Sequence, residues 1–238
     1  MGGTTVITSH KLCSGLIGHW KLEEAGDQVD SLGVTNMTVV GTVTRQSVGK
    51  LGSYGVKFAS TGILTIPATV YQGNYLYDQF TLSFWIKIDT LPSVQTHDAY
   101  LFYIFSTYGG TVPILVWLES GNDRLNFTTV SYNEVSDYTY SSVLTDVVNF
   151  FHVVCVCNGI GGSLKVYING ADDTQRVATL STSIKCCDSY IRIGNSTDGG
   201  SVNFSGTLDD IGYWRRALTT GEITTLYAAG AGLTYPFI

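Results

Sequence analysis

Asp209 and Asp210 stand side by side in the stretch "SGTLDDIGYWRRALTTGEITTLY", in a 238-residue chain only 13% of whose residues are charged. If Ile211 and Tyr213 face a core, period-two parity puts Asp209 on the same side, where a bare carboxylate is costly to desolvate. A bound cation would offset that cost. Calcium suits the position, because it takes about six to eight oxygen ligands from carboxylates, amides and backbone carbonyls. A second group of oxygens lies in "DQVDSLGVTN", with Asp30, Ser31 and Asn36, and Glu24 stands just upstream. Other readings stay open at this level. Asp209 could accept from backbone amides or pair with Arg215, Asp210 could be a solvated strand residue, and the parity argument fails if Leu208 and Trp214 face inward.

Aromatic rings beside amides and carboxylates offer a second chemistry, the stacking and hydrogen bonding that hold sugar rings. The richest stretch is "SYNEVSDYTYSS", with Tyr132, Asn133, Asp137, Tyr138 and Tyr140, and "YQGNYLYDQ" follows with Tyr71, Asn74, Tyr75 and Tyr77. Both read as exposed polar loops. The same rings could instead pack over sheet edges or form a Tyr-rich interface for self-association.

The bulk composition excludes several classes of function. Net charge is −6, from 13 Lys+Arg against 19 Asp+Glu, with no basic run to track a phosphate backbone. Nucleic acid is therefore not an expected partner. No window approaches the roughly 20 apolar residues of a membrane helix, so no membrane insertion is expected. The opening "MGGTTVITSHKLCSGL" lacks the basic and apolar regions of a secretory signal, which suits either a mature chain that begins here or one made and assembled in the cytosol. Five cysteines form no zinc spacing. Cys155 and Cys157 share one face of a strand, and a bridge between adjacent Cys186 and Cys187 would be strained, so the cysteines read as packed thiols.

The elements that must position these groups are strands. In "FTLSFWIKI" Phe80, Leu82, Phe84, Ile86 and Ile88 share one face, with Thr81, Ser83, Trp85 and Lys87 on the other. "SLKVYING" alternates in the same way and ends on the hairpin turn Asn169-Gly170. Further runs span Gly15–Leu22, Gly55–Ile66, Tyr100–Ser106, Ile114–Leu118, Arg124–Val130, Phe151–Cys157, Tyr190–Gly194 and Leu208–Trp214. Ten or more short strands, each with one apolar face, predict an all-β fold of two antiparallel sheets packed as a β-sandwich. One short C-terminal helix is expected, with Thr219 and Glu222 as a capping box and Ile223, Leu226 and Tyr227 as its apolar stripe, plugging the open end of the sandwich. A single domain over 15–233 is expected, with an arm at 1–14 and a tail at 234–238.

Three segments in fixed order carry a family resemblance: "GLIGHWKLEEAGDQVDSLGVTNMTVVG", "FFHVVCVCNGIGGSLKVYINGADD" and "FSGTLDDIGYWRRALTTGEITTLYAAG". Together they resemble the laminin-G-like branch of the concanavalin A-like lectin/glucanase superfamily, from Gly15 to Gly232, with Tyr71–Thr145 similar only as generic strands. The resemblance implies a jelly-roll sandwich whose first and last strands are neighbours. It would bring the Asp30 loop beside Asp209 and a structural calcium between them, held by Asp30 and Asp209 with Asn36 and Glu24. The segment "DSLGVTN" departs from the commoner Asp-x-Ser-Gly-Asn-Gly wording. Glycosidases of the superfamily commonly carry a Glu-x-Asp-x-x-Glu strand, which this chain lacks, so no enzymatic activity is expected. The ending "LYAAGAGLTYPFI" is similar to single-domain structural proteins of bacteriophages and marine viruses. The resulting expectation is a non-catalytic virion surface protein (head decoration, fibre or tail component) with virion proteins as partners and cell-surface glycans as candidate ligands. A secreted lectin or adhesion module is the alternative reading, and a glycoside hydrolase the third.

Overall fold

The computed structural model describes residues 10–46, 48–58, 62–67, 78–106, 111–131, 133–184, 190–195 and 203–237. In chain order the strands are β1 (Leu16–Trp20), β2 (Thr38–Val40), β3 (Val43–Gln46), β4 (Gly55–Phe58), β5 (Ile63–Pro67), β6 (Gln79–Ile88), β7 (Ala99–Ser106) and β8 (Thr111–Leu118). They continue as β9 (Arg124–Val130), β10 (Ser136–Val143), β11 (Phe151–Asn158), β12 (Ser163–Ile168), β13 (Ala171–Asp172), β14 (Ala178–Thr179), β15 (Tyr190–Ile193) and β16 (Gly206–Trp214). Two short helices accompany them, α1 (Pro92–Gln95) and α2 (Thr220–Tyr227).

The strands form two antiparallel sheets. One has nine strands on the path β13-β12-β11-β6-β16-β4-β3, with β1 also on β16 and β14 on β12. The other has seven, in the order β10-β9-β8-β7-β15-β5-β2. The run expected as one strand over Gly55–Ile66 is therefore two, β4 and β5, in different sheets. Alternation continues across the crossing, so the pattern alone does not reveal it. The stretch Ser136–Val143, expected as a loop, is the edge strand β10. Its inward Thr139 and Ser141 are fully buried, and their hydroxyls are satisfied locally, Thr139 donating to the Arg176 carbonyl at 2.6 Å and Ser141 to that of Ser142 at 2.6 Å. A polar sequence can thus line an inner face.

The core between the sheets is built as the alternation predicts: Phe80, Leu82, Phe84, Ile86 and Ile88 of β6 meet Phe102, Phe127 and Ile193 of the opposite sheet. Cys155 and Cys157 both lie in this core with free thiols. A second, smaller core covers part of the outer side of the nine-stranded sheet. There Val154, Val156, Tyr167 and Trp214 pack against Ile223 and Leu226 of α2, together with Leu12 and Phe237. The capping box forms as expected. Helix α2, however, lies across a sheet face rather than in the open end of the sandwich, because the outward positions of β11 are valines that need cover. Leu12 and Phe237, from the segments expected as arm and tail, complete this cover.

Strand β16 lies at the centre of the larger sheet. Along one side it pairs with β6; along the other it pairs first with β4, through Gly206–Leu208, and then with β1, through Ile211–Trp214. The first and last long strands are neighbours, as the resemblance implied. Between the two pairings the register against β6 shifts at Asp209 and Asp210, and Asp210 has φ 46°. That is a β-bulge, two residues opposing fewer on the partner strand.

Candidate binding face

The bulge decides the geometry of the paired carboxylates. Leu208 and Ile211 both point into the inner core, which parity forbids at a spacing of three unless one residue is extra. Asp209 is the direct partner of Trp85 and shares its outward side. The parity argument for an inward Asp209 therefore does not hold. Asp209 Oδ2 accepts from the amides of Lys50 at 2.6 Å and Leu51 at 2.8 Å. Nearby, Glu23 Oε1 accepts from Ser53 at 2.8 Å and Tyr54 at 3.1 Å. The two carboxylates together satisfy the turn that enters β4, where the sheet edge offers no strand to its amides. Asp209 Oδ1 is buried without a partner, and burial pushes its pKa up to about 8. Asp210 is not solvated: its Oδ1 faces His19 Nε2 at 3.2 Å and accepts from the Thr234 hydroxyl.

The expected calcium ligands do not gather as a set among the described residues. Asp30 Oδ1 accepts from the His19 and Leu32 amides, and Oδ2 from those of Val34 and Thr35, each at 3.0 Å. These four bonds use the lone-pair directions a carboxylate offers. Asn36 Oδ1 accepts from the Asp30 amide. Of their buried oxygens, Glu24 Oε2 and Asp209 Oδ1 are without a partner, fewer than the roughly six oxygens calcium takes. No group of three His, Cys, Asp or Glu among the described residues is placed to hold a metal ion.

Glu23 and Asp210 both line a cleft of about 250 Å³ with Lys21, Leu51, Gly52 and Thr234. Their carboxylates are committed to the turn amides and to His19, as above. A catalytic acid needs a proton it can deliver to a glycosidic oxygen, and a base needs a free lone pair toward water.

The aromatic groups organise a larger surface. On the outer side of the seven-stranded sheet, Tyr100, Trp117, Asn126 and Tyr140 are consecutive direct partners across β7, β8, β9 and β10. A parallel row runs Arg192, Tyr103, Leu115, Thr128 and Tyr138 from β15 to β10. At strand spacing the second row spans about 19 Å. Tyr103 lies near-parallel to Tyr100 (centroids 6.0 Å, 14°), to Phe105 (6.1 Å, 7°) and to Tyr190 (6.5 Å, 20°), and the Arg192 guanidinium sits 4.3 Å over Tyr190. A register irregularity between Tyr100 and Phe102 lets Tyr100 and Tyr103 share a face although three residues apart. Burial raises the pKa of both phenols, with Asp98 adding for Tyr100 and Tyr190 for Tyr103, so their hydroxyls remain donors at neutral pH.

Of the residues expected to bind a ligand, Tyr138 and Tyr140 belong to these rows, backed by Arg176 at 3.7 Å and Arg124 at 4.9 Å. Asp137 is spent on Ser181, accepting from its amide and hydroxyl at 2.8 Å each. Asn133 lies in the exposed turn before β10. Tyr132, and with it Tyr71, Asn74, Tyr75 and Tyr77, lies outside the described residues. Sequence reasoning missed Tyr100, Tyr103, Phe105, Trp117 and Tyr190. Their signal was large rings at outward strand positions, where threonine or lysine is the ordinary choice.

A laminin G family model, described as the concanavalin A-like lectin/glucanases superfamily, matches residues 52–224. The chain belongs to that superfamily. Solved structures share its concanavalin A-like fold at low identity. The receptor binding domain of a botulinum neurotoxin C/D mosaic serotype is 18% identical, with TM-score 0.68, over 90% of this chain and 51% of that one. The botulinum neurotoxin serotype D ligand binding domain, in complex with N-acetylneuraminic acid, is 16% identical, with TM-score 0.69, over 90% and 50%. A Trypanosoma rangeli sialidase is 18% identical, with TM-score 0.67, over 92% of this chain and 33% of the enzyme. The chain thus spans about half the length of the toxin domains. No curated protein sequence matches it. No helix among the described residues is long and apolar enough to cross a membrane.

Proposed function

We propose that the chain is a non-catalytic adhesion module that binds glycans along the outer face of the seven-stranded sheet. The observation that carries this reading is the pair of cross-strand rows, which set the rings of Tyr100, Trp117, Tyr140, Tyr103 and Tyr138 on one face with the Thr128 hydroxyl among them and Arg192 at the end of the second row. A pyranose presents apolar C–H faces and a rim of hydroxyls, so it needs both kinds of contact at once. Two toxin structures lend support: serotype D was solved with N-acetylneuraminic acid, and type C cell entry depends upon interaction with two ganglioside molecules. The commitment of Asp210 to His19 and Thr234, and of Glu23 Oε1 to the turn amides, favours adhesion over hydrolysis. On a virion this face would serve as the attachment surface of a decoration, fibre or tail component; in a secreted protein it would be a lectin module.

A glycan array followed by titration of the best hit tests the reading. Binding that weakens about tenfold or more in Tyr103→Ala at unchanged melting temperature is the expected result. Silence across the array, or a hit indifferent to Tyr103 and Trp117, would overturn it. Turnover of a bound sialoside or polysaccharide would overturn the non-catalytic part alone.

A further inference from the structure

The outer side of the nine-stranded sheet is covered by α2 only in part. Beyond that cover, Lys57, Thr207 and Lys87 form one cross-strand row over β4, β16 and β6. Adjacent strands are about 4.8 Å apart, so the two lysines stand about 10 Å from each other with a threonine between them. The row is the floor of a groove of about 450 Å³, walled by Val48, Gly49 and Lys50 on one side and Val148, Asn149 and Phe150 on the other, with Asp89 at its end. The second wall is set in place by Asp146, which accepts from the Val148 and Asn149 amides at 2.7 and 3.0 Å and from the Asn149 side chain at 2.8 Å.

Three of the chain's seven lysines thus meet in one concavity of a molecule whose net charge is −6. Asp89 offsets one of them, bridging Lys57 at 2.8 Å. Lys50 Nζ lies 4.7 Å over the Trp85 ring, and two positive charges remain without a carboxylate in the groove. Like charges held near one another in a sheet cost stability unless a counter-charge relieves them. The rim is apolar, with Val48 67% and Val148 71% exposed.

We propose that this groove binds the carboxylate or sulfate of an acidic saccharide, as a second site on the opposite face of the sandwich from the aromatic rows. The saccharide part rests on the glycan-adhesion reading; the anion part rests on the lysine row alone. Lys87 is the free ammonium of the row and holds the anionic group above Thr207. Lys57 contributes through the ion pair it shares with Asp89, Lys50 adds a charge from the wall, and the apolar rim takes the C–H face of the sugar.

The test is a titration of the whole chain, read by amide chemical shifts, with sialyllactose, a sulfated lactose, neutral lactose and inorganic sulfate. The expected result is that an acidic sugar shifts Lys57, Thr207 and Lys87 and binds about tenfold tighter than lactose. Which acidic sugar does so distinguishes carboxylate from sulfate. The preference falls with added salt, is lost in Lys57→Ala/Lys87→Ala, and returns in part in Lys57→Arg/Lys87→Arg, which controls for folding. Acidic and neutral sugars that bind alike, or shifts confined to the Tyr103 and Trp117 rows, overturn the groove and leave the adhesion reading standing. Sulfate shifts at the three residues with no sugar binding overturn the saccharide assignment and the adhesion reading together. No shift with any probe overturns all of it.

Discussion

Asp209 is the direct cross-strand partner of Trp85, and its buried carboxyl carries the amides of Lys50 and Leu51 on one oxygen. An acid whose folded pKa is raised from 3.8 to about 8 contributes stability that is complete below about pH 4 and is lost as pH rises toward 8. His152, its ring tilted 36° against the same Trp85 with centroids 4.8 Å apart, is depressed by burial from 6.5 to about 4. Its contribution runs the other way, complete above pH 6.5 and lost as pH falls toward 4. The two slopes oppose each other over the lower window, and Asp209 alone acts from about pH 6.5 to 8, by at most about 1.4 kcal/mol per pH unit. Denaturant melts should therefore show stability falling over that upper window. Asp209→Asn keeps the acceptor for the turn amides and should flatten the fall; an unchanged slope in the variant counts against this assignment.

Removal of divalent metal should leave the melting temperature unchanged, since the Asp30 oxygens are filled by four amides and only isolated oxygens remain at Glu24 and Asp209. A native-state cation would raise stability by mass action. A drop in melting temperature on chelation, restored by calcium, would show that these donors assemble into a site.

Helix α2 is held to its sheet by a charge pair as well as by Ile223 and Leu226. Arg216 grips Glu222 through two bonds, at 2.9 and 2.7 Å, and reaches the Ser14 and Lys11 carbonyls. That grip draws the Glu222 pKa down to about 2, so its contribution is complete above pH 4.5 and is lost as pH falls from there toward 2. Thr219→Ala removes the cap and should cost about 1 kcal/mol. Glu222→Ala removes both the cap partner and the Arg216 pair, and should cost more, about 2–3 kcal/mol. Equal midpoints for the two variants would mean that the Arg216 pair contributes nothing.

Trp20, Trp85 and Trp214 are at most 2% exposed, whereas Trp117 is half-buried on the outer face of the seven-stranded sheet. A collisional quencher should reach Trp117 alone. A glycan seated on the aromatic rows should shield it, and Trp117→Phe should abolish both effects. Quenching that persists in this variant would place a different tryptophan at the surface.

Burial pushes the Cys157 thiol up to about 12 and the Cys155 thiol higher still. The thiolate is the reactive form. Alkylation followed by peptide mass mapping should leave both unlabelled in the native protein and label both in denaturant. Labelling of Cys155 in the native protein would contradict its place in the core.

Alternation along single strands carries much of the fold: the inward faces of β6, β11 and β12, the shared side of Cys155 and Cys157, and the cap of α2 are all readable from local spacing. So is the family resemblance, because its motifs lie within short segments. Tyr103 and Trp117 fall in runs legible as strands, but nothing in those runs marks them as neighbours on one face. Asp30 and Asp209 were legible as oxygens in need of partners, and their partners proved to be backbone amides that no side-chain pattern encodes.

What only the tertiary structure decided is register. One extra residue at Asp209–Asp210 turns both carboxylates outward, because side-chain direction reverses with every residue and a bulge resets the count. The rows Tyr100–Trp117–Asn126–Tyr140 and Lys57–Thr207–Lys87 exist only where separate strands are hydrogen-bonded in one particular alignment. The chain itself carries the period of two; the partner across each ladder is set by packing between segments far apart in sequence.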